Sequence, residues 1–370
     1  MKITSIKAFP LQIPMRIPYR TALSERSVCD SVVAVVQTDS GLGGIGQAST
    51  SAPRYSPFEE TLQGIVHTVT ELIAPALVGE NPMAIGSVHR IMDRVAHGHN
   101  YAHTAIDIAL YDLLGKVSSA PICTILGGSV RKNLPLTAPH LGYLGPAEMS
   151  KTAEQFVKQG FRAINLRAGR DLKEDVENLK AIRQAVGNDI IIDMDFSQSL
   201  SLHQGRPDTA VNYIKSLEAF GVASFEQPLA AWDLEGMARV AAAIDTPIVA
   251  DESVFTPFDA MRVIRLQAAD VIKLKIIKTG GFYKAMQIAA ITSACGIPLT
   301  VGHGIAGTIQ NAAELHLASV LDYWKPPGEM VGFLRLESDP ATGLICQNGM
   351  LQVPEDPGLG VKIDLQKYIQ

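Results

Sequence analysis

Three acids and one lysine close four short apolar runs in the middle of this 370-residue chain. Ile190-Ile191-Ile192 leads to Asp195, and Val222-Ala223-Ser224-Phe225 leads to Glu226. Pro247-Ile248-Val249-Ala250 leads to Asp251, and Val271 to Leu274 leads to Lys275. The four positions recur every 24 to 31 residues (195, 226, 251, 275), about the length of a strand, loop, helix and return loop. Carboxylates gathered at neighbouring strand ends repel one another unless a divalent cation holds them. The spacing therefore predicts a metal site built from Asp195, Glu226 and Asp251. Oxygen-only ligands select Mg²⁺, with Mn²⁺ as the alternative, over zinc, which prefers His and Cys.

A metal ion beside a lysine sets a Lewis acid next to a group that can act as a base. Lys275 is the expected general base, its pKa lowered by desolvation and neighbouring positive charge. The plainer alternative for Lys275 is an electrostatic clamp that exchanges no proton. Lys273 points to the same face one layer deeper, as the charge that tunes Lys275, as a substrate contact or as an ion-pair partner.

Such acids need strands that converge. Leu172, Val176, Leu179, Ile182 and Val186 recur at helical spacing ahead of Gly187, as do Val211, Ile214, Leu217 and Phe220 ahead of Gly221. Alternating strands and helices, with strands apolar enough to be buried on both faces, predict an α/β fold, a (β/α)₈ barrel whose C-terminal mouth holds the site. Its first strand is expected near Leu134 to His140, the second at Ala163 to Arg167, the seventh at Pro298 to Gly302 and the eighth at Val331 to Leu334.

A barrel uses about 250 residues, which leaves room for a second unit. Residues 1–125 read as an α+β capping domain: strands at Ile3 to Leu11 and Ser31 to Thr38, then helices at Pro57 to Leu77, Pro82 to His97 and Tyr101 to Lys116. Residues 126–342 form the barrel, and 343–370 a proline-rich segment returning to the cap. Between them Pro14 to Asp30 and Ser49 to Pro57 read as loops of lid length, from which Arg16, Tyr19, Arg20 and Tyr55 reach a substrate or remain solvated surface groups.

With 19% charged residues and a net charge of −5, nothing favours a nucleic-acid partner. No stretch reaches 18 apolar residues, so no membrane span is predicted. The N-terminus lacks a leader's apolar core, and the four cysteines are scattered without a CxxC pair. Both point to a cytoplasmic protein with reduced thiols.

Asp195-Phe196-Ser197-Gln198, Phe225-Glu226-Gln227-Pro228, Ala250-Asp251-Glu252-Ser253 and Lys273-Leu274-Lys275 followed by Gly280-Gly281 together resemble the enolase superfamily, in its mandelate racemase/muconate-lactonizing group. His99-Asn100-Tyr101-Ala102 and Ala105 to Ala109 fit that family's last cap helix, and the first of these also looks like relatives acting on proline-type amino acids. The resemblance covers nearly the whole chain. It implies a modified TIM barrel with a cap, Mg²⁺ on Asp195, Glu226 and Asp251, a homo-oligomer, and a small carboxylate substrate that loses the proton next to its carboxylate to give a dianionic enediolate, whose two oxygens need a cation. Three positions depart from the family pattern. Asn165-Leu166-Arg167 stands where lysines are usual, Ser197 stands at the usual asparagine, and Ala306 replaces the glutamate of muconate-lactonizing relatives. His303 resembles the histidine of the acid-sugar dehydratase and racemase branches.

Arg167 bears on the reaction. Arginine is effectively never deprotonated, yet its planar fork binds carboxylates well. With arginine on one side of the mouth and Lys275 on the other, two-base racemisation looks disabled. One-sided chemistry is expected instead: β-elimination, with His303 as general acid, or muconate-type cycloisomerisation. The alternatives are a racemase using Lys275 and His303, a rim-bound structural His303, and a non-catalytic carboxylate-binding protein. Asn165 is a further expected substrate contact. Asp193 is expected to face the barrel interior near Lys273 or Asn165, and Glu252 to turn outward. Asp107 and the helical His67, His89 and His316 read as structural.

Overall fold

Alternation from Leu11 to Arg16, taken up again from Pro18 to Arg20, buries Leu11, Ile13, Met15 and Tyr19 and exposes Gln12, Pro14, Arg16, Pro18 and Arg20. That period of two makes a strand, and the prolines sit on its solvent side. In the computed structural model, which describes residues 1–20, 25–50, 59–204 and 207–365, β1 (Ile3–Arg20) pairs antiparallel with β2 (Glu25–Thr38) from Ile3↔Thr38 to Arg20↔Glu25. The segment expected as a loop from Pro14 to Asp30 is thus the far end of a hairpin over its described residues. β1 is an edge strand of a three-stranded sheet, where a missing N–H is tolerated. β3 (Gly43–Thr50) completes that sheet.

Helices α1 (Leu62–His67) and α2 (Ala74–Leu77), joined by a π-helical turn, then α3 (Ile85–Val95), α4 (Asn100–Val117) and α5 (Ile122–Ile125) follow. α4 lies directly on β3. A Cβ on Gly44 would fall 1.8 Å from the Ala109 carbonyl oxygen, and one on Gly46 would fall 2.1 Å from that of Ala105. Only glycine permits so close an approach.

After β4 (Asn133–Pro135) and α6 (Pro146–Lys158) come β5 (Ala163–Arg167), α7 (Leu172–Val186), β6 (Ile191–Asp195), α8 (Ser199–Gln204), α9 (Pro207–Glu218) and β7 (Ser224–Glu226). The pattern continues with α10 (Leu234–Ala243), β8 (Ile248–Ala250), α11 (Pro257–Leu266), β9 (Val271–Leu274), α12 (Ile276–Thr279), α13 (Phe282–Ala294), β10 (Leu299–Val301) and α14 (Thr308–Val320). Strands β5 to β10 form one parallel sheet in chain order.

Two irregular segments close the curled sheet into a modified TIM barrel. Along β5, the Leu141 N–H donates to the Asn165 carbonyl at 2.9 Å and Arg167 N–H donates back to Leu141 at 3.1 Å. Along β10, Lys325 N–H donates to Leu299 at 2.7 Å and Glu329 N–H to Val301 at 2.9 Å. Thr137 N–H then reaches Gly328 at 2.8 Å across the seam. This corrects the eighth strand: Val331 to Leu334 falls largely in a 3₁₀ turn (Gly332–Arg335), and residues 324–329 take the place of the stave. Pro326 and Pro327 lack N–H donors and so hide that segment from a strand pattern.

The C-terminal part, β11 (Ala341–Thr342), β12 (Cys346–Gln347), β13 (Met350–Gln352) and β14 (Lys362–Ile363), touches both halves. β13 pairs with β4, and Leu359 N–H donates to Asp112 of α4 at 3.0 Å. Among the described residues no helix is long and apolar enough to cross a membrane.

Candidate active site

Parallel register sets the site. Arg167 lies opposite Asp195 and Asp195 opposite Glu226, while Asp251 follows β8 and Lys275 follows β9. All three acids are buried, and each is turned onto a cation. Arg167 donates to Asp195 Oδ2, while Ser197 donates to Oδ1 through its N–H at 2.7 Å and its hydroxyl at 3.0 Å. Lys273 donates to Glu226 Oε2. Lys275 donates to Asp251 Oδ2, and Lys278, one helical turn on, to Oδ1 at 2.6 Å.

The electrostatics follow from burial and pairing. Burial pushes Glu226 up to about 7 despite Lys273, and the neighbouring Glu329 and Asp251 carboxylates add to the rise. Burial would raise Asp251 as well, but Lys275 and Lys278 hold it far below the usual carboxylate range. For Lys275 burial lowers the pKa, yet Asp251 and then Glu226 outweigh it and the net shift is upward. The expected lowering is thus reversed here, because two carboxylates face this ammonium.

Among the described residues no three His, Cys, Asp or Glu side chains converge closely enough to hold an ion. The donors nevertheless suit a hard divalent cation. Asp195, Glu226 and Asp251 offer oxygen only, and Glu226 Oε1 is buried without a hydrogen-bond partner among the described residues.

Below the acids lies a second polar layer. Glu329, from the closing segment, accepts from Lys273 at 2.8 Å and from Asn165 at 3.1 Å. Asn165 and Lys273, expected at the substrate, are instead drawn downward by this carboxylate and do not line the cleft. Asp193 accepts from Ser224 rather than pairing with Lys273 or Asn165.

The cleft opens between barrel and cap, with Tyr19, Arg26 and Tyr101 on the cap side and Glu252, Lys275 and His303 on the barrel side. Arg20, an expected substrate contact, alternates to the outer face of the hairpin and pairs with Glu25 at 2.9 Å. Arg16 likewise turns away, donating to the Leu336 carbonyl. Tyr55 lies outside the described residues. Glu252, expected to turn outward, lines the cleft with a buried Oε2 that has no partner among the described residues.

His303 is a further correction. Its Nδ1 donates to the Gly304 carbonyl, which leaves Nε2 buried, without a proton and, among the described residues, without a partner. Burial, reinforced by His140, lowers its pKa to about 3. The ring offers a lone pair rather than a proton, which does not suit a general acid.

His140, Glu329, Lys278 and Arg335 were not anticipated. His140 Nδ1 accepts from Arg167 at 3.1 Å, its ring stacks 5.7 Å from that of His303, and its Nε2 lies 3.3 Å from Glu329. Arg335 lies over the Tyr19 ring at 4.8 Å and donates to the His140 carbonyl. Only Lys278 had a local signal, its position one helical turn after Lys275. On the cap, Asp107 accepts from His89 at 2.7 Å and from Phe282 N–H at 2.6 Å, while His316 lies 3.1 Å from the Leu359 carbonyl.

Residues 148–367 match the family model described as enolase C-terminal domain-like, and residues 3–127 match that of the mandelate racemase/muconate lactonizing enzyme N-terminal domain. An N-succinyl-L-Arg/Lys racemase of Bacillus cereus is 30% identical over 98% of this chain and 96% of its own length, and its crystal structure superposes with a TM-score of 0.94 over 100% of this chain and 98% of that one. A dipeptide epimerase of Enterococcus faecalis, solved in complex with Mg and the dipeptide L-Leu-L-Tyr, is 31% identical with a TM-score of 0.91, covering 98% of this chain and all (100%) of that one. A cis-3-hydroxy-L-proline dehydratase of Roseibium aggregatum is 32% identical over 98% of this chain and 96% of the relative.

Proposed function

Because the chain belongs to the mandelate racemase/muconate lactonizing enzyme group of the enolase superfamily, we propose that it is a Mg²⁺-dependent enzyme that takes the proton α to the carboxylate of a small substrate and completes the reaction by β-elimination. Asp195, Glu226 and Asp251 would hold the ion, which when bound supplies a Lewis acid for the substrate carboxylate. Lys275 takes the proton. It can do so only where the charge on Asp251 and Glu226 is compensated, since those two carboxylates hold its ammonium.

One observation carries the one-sided outcome: Lys275 at the end of β9 stands across the mouth from Arg167 at the end of β5. A 1,1-proton transfer needs a base on each face of the substrate, and Arg167 cannot serve as one. β-Elimination rather than muconate-type cycloisomerisation is preferred because the cleft offers a substrate hydroxyl polar partners, the Tyr19 hydroxyl and the bare Nε2 of His303. The 32% identical dehydratase supports the same preference.

A second reading, racemisation with Lys275 and His303 as the two bases, is favoured by that unprotonated Nε2 and by the racemase and epimerase relatives. Against it, β9 and β10 are neighbours, so both groups approach the substrate from one side. Incubation with Mg²⁺ in D₂O decides between them, using cis-3-hydroxy-L-proline, N-succinyl-L-arginine and L-Ala-L-Glu as probes. Elimination product without inverted substrate is expected. Deuterium at the α-carbon of recovered substrate with inverted configuration would overturn it, and Mg²⁺ binding with no turnover of any carboxylate would leave a binding protein.

A further inference from the structure

We propose that the Tyr19 hydroxyl is the general acid that protonates the leaving group, from the side opposite Lys275. This rests on the elimination reading above and names the group that reading lacks. His303 presents a lone pair, and Arg167 does not release a proton. Ser197 receives a hydrogen bond from Arg167 at 2.8 Å and donates its own hydrogen to Asp195 at 3.0 Å. The Nδ1 of His140 accepts from Arg167, so its one N–H is on Nε2 and faces Glu329.

Tyr19 differs from all of these. Its oxygen accepts from Nε–H of Arg167, which leaves the phenolic hydrogen, among the described residues, only a long 3.5 Å hydrogen bond to His140 Nδ1, a nitrogen that already accepts from Arg167 at 3.1 Å. The side chain is buried and lines the cleft on the Arg167 side. Two guanidinium groups flank its ring, Arg167 at 5.4 Å and Arg335 at 4.8 Å from the centroid. The negative charge that proton donation leaves on the oxygen therefore has fixed cations beside it.

The step balances without a further reactant. The α C–H bond breaks, its proton goes to the neutral Lys275 amine, and its electron pair forms the Cα–Cβ double bond. The Cβ–O bond breaks as the Tyr19 O–H bond breaks, and the departing oxygen takes that proton to leave as water. Lys275 ammonium and Tyr19 oxyanion then return to their starting states by net proton transfer through solvent.

The test uses the full-length Mg²⁺-loaded protein, with cis-3-hydroxy-L-proline and its 3-fluoro analogue as probes. Tyr19→Phe is expected to lower elimination of the hydroxyl substrate by about 10²-fold or more. α-Hydrogen exchange in D₂O should persist within about threefold. Fluoride leaves without a proton, so the same variant should eliminate it at close to the wild-type rate, a rescue that a purely structural role would not give. Circular dichroism melting checks that the variant is folded, and an unfolded Tyr19→Phe, which would make the side chain structural, overturns the proposal. So does a variant that eliminates the hydroxyl substrate within threefold of wild type, or one that loses both leaving groups alike. Unchanged exchange in Lys275→Ala instead removes the parent reading's base and leaves Tyr19 standing; a wild type that neither exchanges nor eliminates sinks both.

Discussion

Asp251 carries two lysines at once, one on each carboxylate oxygen, and this crowding decides how the site responds to substitution. Lys275→Ala leaves Lys278 to neutralise Asp251, so the fold should hold while turnover falls by about 10²–10⁴-fold, read as kcat against an unchanged melting temperature. Glu226 differs from its neighbours in keeping one oxygen free. Glu226→Gln should weaken Mg²⁺ binding by at least the roughly 10–100-fold lost when a supporting group around a metal is removed, measured by titration calorimetry. Chelator treatment should abolish turnover, and added Mg²⁺ or Mn²⁺ should restore it.

Among elements, α4 braces the stretch that follows Lys275, where α12 meets α13. Asp107 of α4 accepts from His89 and from Phe282 N–H at the first turn of α13, immediately after Gly281. A Cβ at Gly281 would lie 2.2 Å from that carboxyl carbon, at a φ of +105° that other residues avoid. Asp107→Ala should destabilise by about 1–3 kcal/mol for each buried donor left unpaired, read from urea unfolding. Gly281→Ala attacks the same contact, so the double variant should lose less than the sum of the two. The cap hairpin works at this scale too: its alternation delivers Tyr19 to the cleft while Arg20 faces solvent.

At the scale of the whole molecule, buried titratable groups set the pH range of stability from both sides. Burial lowers His103 to about 3 and His316 to about 4. Unfolding at low pH lets these rings take up protons, so their contribution is present above pH 6.5 and is lost as pH falls to about 4 for His316 and about 3 for His103. Glu314 acts in the opposite sense. Burial raises it to about 8 from 4.5, against hydrogen bonds from Gln310 and Asn311. The native state keeps a proton that the unfolded chain releases, so stability declines as pH rises from about 4.5 to 8, by up to about 1.4 kcal/mol per unit for each proton. Glu314→Gln should flatten the alkaline limb of a melting-temperature profile and leave the acid limb in place.

The sequence by itself determined which residues end consecutive strands, because strand period, helix stripes and the glycines between them are local properties. It therefore gave the barrel, the cap helices, the three acids and Lys275. It did not show that Lys275 is held as an ammonium, since that depends on carboxylates brought close only when strands lie side by side. Only the tertiary structure decided the closing staves and what they carry, because residues 136–141 and 324–329 draw their hydrogen bonds from distant strands. Closure there sets Glu329 beneath Lys273 and His140 against His303, while the cap hairpin lays Tyr19 onto Arg167. Such pairings join residues far apart in the chain, 164 positions between Asn165 and Glu329, and no local pattern along a chain encodes a contact of that range.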